Sequence, residues 1–99
     1  MLLGTYTVST SSFTWSTNIS TASIPNWRDL TSDNFTIEFT ATRMAAFDAD
    51  YDNGACIINY STWHNYNSDT GTLNVGIKAY HYYAESAIIE GTANVYAFY

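Results

Sequence analysis

The chain has 99 residues, of which 46% are hydrophobic and only 12% charged, and its net charge is −6. Disorder needs the opposite balance, so the chain folds, and its size suits one core in a single domain spanning residues 1–99. Three cations (Arg28, Arg43 and Lys78) against nine carboxylates argue against nucleic-acid phosphates or an anionic membrane as partners, and a single cysteine excludes an internal disulfide.

Nine Tyr, five Phe and three Trp, set among Ser, Thr and Asn with few helix formers, point to sheet rather than helix. Taken in order, residues 5–8 read as a strand with Tyr6 and Val8 on one face. Phe13 and Trp15 alternate in the same way, and residues 18–24 read as a third short strand. Pro25 removes a ladder donor and holds Ile24 extended, which places residues 24–27 at an edge or in a crossing loop. Residues 30–34 form a turn with room for one helical turn. Phe35, Ile37 and Phe39 then face the core from a strand over 35–40.

Residues 43–54 are the longest region without strand alternation, and residues 44–47 suit a brief helical turn. Residues 55–83 form a hairpin. Leu73, Val75, Ile77 and Ala79 alternate on its second arm, and Asn67-Ser68-Asp69-Thr70-Gly71 suits a type I turn closed by a left-handed residue. Pairing Tyr66 with Thr72 sets Trp63 opposite Val75 on the apolar face. In that register Asn59 meets Ala79, so either both faces are covered or a bulge near Ser61 shifts the parity. Residues 84–90 fit a short helix or a strand, and residues 93–99 a last strand.

A Gly-Thr-x-x-Val pattern recurs at Gly4, Gly71 and Gly91, with the glycine leaving a turn and the threonine starting a strand. About seven short strands result. The expected architecture is all-β, a single antiparallel β-sandwich of jelly-roll or Ig-like type.

Asp48-Ala49-Asp50-Tyr51-Asp52-Asn53-Gly54 is the most pointed polar cluster. Asp48, Asp50 and Asp52 at alternate positions match the opening of a calcium loop, in which hard oxygens surround a hard cation. The glycine comes one position late, and Asn59 stands where the helix–loop–helix type needs glutamate, so a solvated acidic loop is the plainer reading. No other cofactor is indicated. His64 and His81 lack a third zinc ligand. Cys56 with His64 is the one nucleophile–base pairing on offer, and the apolar run around Cys56 marks an inert thiol. The expectation is a protein that is not an enzyme.

Trp63, His64, Tyr66 and Tyr82 cluster near the hairpin ends, where exposed rings beside amides would stack on sugars or anchor a protein interface. Tyr96 and Phe98 share one face of the last strand, with Val95, Ala97 and Tyr99 on the other. A strand apolar on both faces suits contact with a neighbouring subunit, by face packing or by edge addition.

Residues 30–35, 66–75 and 95–99, which read Leu-Thr-Ser-Asp-Asn-Phe, Tyr-Asn-Ser-Asp-Thr-Gly-Thr-Leu-Asn-Val and Val-Tyr-Ala-Phe-Tyr, resemble small β-sandwich structural proteins of tailed bacteriophages: modules of tails, fibres or capsid decorations. The resemblance carries no catalytic signature. It implies a virion structural or self-assembling module whose partners are copies of itself and other virion proteins. Residues 1–4 have neither the basic start nor the apolar length of a signal peptide, so the expected place is the virion, after synthesis in the host cytoplasm. The alternative is a carbohydrate-binding module that meets surface glycans through exposed aromatics.

Overall fold

A computed structural model describes residues 1–47, 56–82 and 84–99, without the side chains of residues 56–58 and 82. Six strands run through the described residues: β1 (Leu2–Thr10), β2 (Thr14–Ser20), β3 (Phe35–Phe47), β4 (Cys56–Asn67), β5 (Thr72–Tyr82) and β6 (Ser86–Ala97). They form two antiparallel three-stranded sheets, ordered β1-β6-β3 and β2-β5-β4. Two single 3₁₀ turns, Trp27–Asp29 and Ser32–Asn34, lie on the segment crossing from β2 to β3.

The period of two in the sequence is what makes the layers. On β5, Leu73, Val75, Ile77 and Ala79 are buried, while Thr72, Asn74, Lys78 and Tyr80 point away. On β6, Ala87, Ile89, Ala93, Val95 and Ala97 are buried, and Phe35, Ile37 and Phe39 join them from β3. The two apolar faces meet in one cluster, which Val8, Ile19 and Ile24 complete. Three strands per sheet make a narrow body of 52 × 22 × 16 Å. Its radius of gyration of 15.7 Å exceeds the ~13 Å of a compact domain this long.

Several expectations need correction. Residues 44–47 continue β3 beyond a bulge between Ala41 and Arg43 and are not a helical turn. Residues 84–90 and 93–99 do not form separate elements, because Ser86–Ala97 is one unbroken strand. Trp15 and Asn18 likewise share β2, so the described strands number six and not seven. β6 is paired on both edges, with β1 and with β3, so it has no free edge for strand addition.

The Gly-Thr-x-x-Val recurrence acquires a meaning that spacing alone does not show. Its first and third copies pair with each other in antiparallel register, Gly4 opposite Val95 and Val8 opposite Gly91. Both of those glycines lie within strands, and only Gly71 leaves a turn.

The hairpin register differs from the expected one by a single residue. Asn67, not Tyr66, pairs with Thr72. The side chain of Asn67 accepts the Asp69 N–H, its carbonyl accepts the Gly71 N–H, and Gly71 takes φ 68°. The turn thus closes over four residues. A one-residue slip reverses every face, so Trp63 meets Gly76 on the outer surface while His64 and Tyr66 meet Val75 and Leu73 on the inner one. A bulge does occur, between Ile57 and Asn59 rather than near Ser61.

Val75 is fully buried at the centre of this core. Val75→Asp would bury an unpaired carboxylate at a cost of several kcal/mol, comparable to the whole stability of a small domain. Circular dichroism of that variant should show no cooperative melt, and a native-like melt would contradict the register.

Candidate functional site

Three surface regions gather the residues that sequence reasoning singled out. The first is the seam along β3 and β4. His64 and Tyr66 point inward from β4, an edge strand, and are half-buried. The His64 Nε2–H donates to the carbonyl of Ser32 at 2.8 Å, and the Ser32 hydroxyl accepts the Tyr66 N–H at 3.1 Å. The Tyr66 hydroxyl donates to the Trp27 carbonyl and lies 3.0 Å from Thr21 Oγ1, which in turn donates to the Gly71 carbonyl at 2.9 Å. These bonds tie the β2–β3 crossing to the hairpin turn. Trp27 packs over Gly71 so closely that a Cβ there would lie 2.8 Å from the ring. Rings close the seam further, with Phe35 against Tyr66 and Phe39 edge-on to Tyr60. Beside it lies an open cleft of about 370 Å³ lined by Leu30, Thr31, Ser32, Asp33, Tyr66 and Ser68. His64 Nε2 and the Tyr66 hydroxyl are therefore structural ties that already have partners.

The second region is the outer face of the β2-β5-β4 sheet. Trp63 lies there with about a third of its surface exposed, and Tyr80 stands four residues beyond Gly76 on β5. Gly76 is a contributor that the sequence reading did not select. The available signal was a glycine in the middle of a strongly alternating strand, a position that often marks close approach by another group.

The third region is one pole of the molecule. Met1, Leu2, Phe98 and Tyr99 are each more than half exposed. Tyr96 is half-buried on the neighbouring outer face, opposite Leu2 and Thr36. Backbone bonds hold the pole in place: Met1 N–H to the Ala97 carbonyl, Ala97 N–H to Met1, and Phe98 N–H to Asn34. The Asn34 side-chain amide donates to the Phe98 carbonyl, and the Tyr99 hydroxyl meets Met1 Sδ at 3.1 Å.

Among the described residues, the remaining selected positions do not converge on a site. Asp48, Asp50 and Asp52 lie outside the described residues, as does the side chain of Tyr82. Among the described residues, no group of three His, Cys, Asp or Glu comes together. Cys56 and His64 sit eight positions apart along β4, about 25 Å at strand rise, so the nucleophile–base pairing does not form. His81 instead stacks on Phe13, with ring centroids 3.9 Å apart. No helix among the described residues is long and apolar enough to cross a membrane.

No family model, no curated protein and no solved structure matches this chain.

Tyr66→Phe removes a hydroxyl that joins two segments of the seam. A lost bond together with an unsatisfied carbonyl should lower stability by about 1–3 kcal/mol in urea unfolding, with the oligomeric state unchanged. Calcium, if held by residues 48–52, stabilises the folded state by mass action. Melts in calcium and in chelator should differ by at most a small upward shift, and superimposed curves would reduce the acidic loop to solvated surface.

Proposed function

We propose that this chain is a non-enzymatic structural module that assembles with copies of itself and with other subunits of a particle. The observation that carries this reading is the apolar pole. Met1, Leu2, Phe98 and Tyr99 present sulfur, aliphatic and aromatic surface at one end of a chain whose other outward positions are mostly Ser, Thr and Asn. Contiguous exposed apolar surface of this kind marks an interaction site. Interfaces also favour Tyr, Phe and Met while depleting Lys and Glu, as this pole does.

The resemblance to small structural proteins of tailed bacteriophages makes a virion the setting, in a tail, a fibre or a capsid decoration. A β-sandwich of jelly-roll winding fits that role. Successive strands alternate between the two sheets everywhere except at the β4–β5 hairpin, which favours this winding over an Ig-like one.

β6 is paired on both edges, so its end enters the contact through side chains and not by strand addition. Tyr96 and Ala97 belong to that central strand, so deleting residues 96–99 would cut the ladder and the core as well as the contact. Point changes separate the two effects. In sedimentation at high micromolar concentration, the wild type should run as an oligomer. The double variant Phe98→Ser with Tyr99→Ser should run as a monomer, with its melting temperature lowered by only a few degrees. A monomeric wild type that also finds no partner in its particle would sink this reading.

A further inference from the structure

The outer face of the β2-β5-β4 sheet, on the layer that does not contain β1 and β6, carries a second surface with its own chemistry. Its centre is Trp63, paired with Gly76. The indole fills the space that a side chain at Gly76 would need, since a Cβ there would lie 2.3 Å from Cε2 and Cζ2 and 2.7 Å from Nε1. The ring therefore lies down along the sheet instead of standing off it. One side is seated on backbone, and 36% of the residue remains open to solvent.

The surroundings are polar and nearly uncharged. In the next row along the sheet, Asn65 and Asn18 flank Asn74. Asn74 Nδ2 donates to Asn18 Oδ1 at 2.8 Å and to the Thr17 carbonyl at 3.1 Å. This pins the amides in place and leaves the Asn74 oxygen and the Asn18 nitrogen for a ligand. In the other direction along β5 lies Tyr80, 46% exposed. Four residues of strand separate it from Gly76, about 14 Å. Lys78, the one charged residue between them, holds its ammonium 5.4 Å from the Tyr80 ring centroid.

We propose that this face binds a neutral oligosaccharide, with one pyranose stacked on Trp63 and a later unit of the same chain on Tyr80. A sugar ring offers an axial C–H face that suits an aromatic plane, and equatorial hydroxyls that suit amides at its rim. Lys78, beside the Tyr80 ring, is the one charge on these rows and no carboxylate there recruits a cation, so a polyhydroxylated chain that is itself neutral is the ligand proposed. The ring separation requires an oligomer and not a single sugar.

The test uses the full chain and three soluble probes: cellohexaose, maltohexaose and chitohexaose. The protein has three tryptophans, so its ¹H–¹⁵N spectrum carries three indole signals. With at least one probe, the Trp63 signal should move saturably while those of Trp15 and Trp27 stay fixed. Trp63→Ala should weaken binding at least tenfold, and Trp63→Phe should recover part of the loss. Tyr80→Ala should weaken the hexasaccharide several-fold and leave the matching disaccharide unchanged. Should Trp63→Ala fail to fold, the indole shifts of the wild type and the Tyr80→Ala comparison still decide. The proposal is overturned if all three probes leave the Trp63 signal in place at millimolar concentration. It is also overturned if that signal moves with protein concentration alone, which would make the face a contact between copies.

Discussion

Only two of the six strands, β5 and β6, are hydrogen-bonded along both edges, and the rest of the structure is laid against them. Their inward residues are aliphatic and small, from Leu73 to Ala79 on one layer and from Ala87 to Ala97 on the other. Sheets of three strands are too narrow for such side chains to seal the sides between the layers. Aromatic residues on the edge strands do that. Phe35 with Tyr66 and Phe39 with Tyr60 close the flank between β3 and β4, while half-buried Tyr6 and Trp15 line the opposite one. Much of the aromatic wealth of this chain is accounted for by its thinness.

The crossing from β2 to β3 shows how a segment with little regular structure is held. Only Ile24 and Thr21 are deeply buried there, and Thr21 is the sole fully buried polar side chain among the described residues. Its hydroxyl is satisfied by the Gly71 carbonyl and the Tyr66 hydroxyl. A buried hydroxyl is tolerable only when bonded, so the crossing, the turn and β4 are locked together or not at all.

The β class, the inward faces of residues 35–39 and 73–79, and the left-handed glycine of the hairpin turn were legible because each depends on local chemistry. Alternation sets a face, and glycine permits a positive φ. Register was not legible. An aromatic such as Trp63 is a natural candidate for the apolar side, and a histidine such as His64 for the wet one. The turn reversed both, and the reversal is tolerable for reasons remote in sequence. His64 finds a carbonyl at Ser32, and Trp63 finds bare backbone at Gly76. The strand over residues 44–47 was missed for a similar reason. Its ladder partners, Ser86 to Ile89, lie some forty residues away, and propensity in a run such as Met-Ala-Ala-Phe yields to that pairing. The apolar pole was half legible: the clustering of Tyr96, Phe98 and Tyr99 was visible, while their junction with Met1 and Leu2 depends on the β1–β6 ladder.

The alternation of strands between sheets also has a kinetic side. The β4–β5 hairpin is the one pair that neighbours in sequence can form. The β1-β6-β3 sheet draws on three segments that are never adjacent along the chain, and Leu2 must wait for Tyr96. Closing such long loops has an entropic cost before any contact offsets it, so topology of this kind folds slowly and through a late, concerted step. Until β6 arrives, β1 and β3 have no partner in their sheet, and their apolar faces stand open to other chains. The arrival of β6 therefore decides whether β1 and β3 find their own sheet or someone else's.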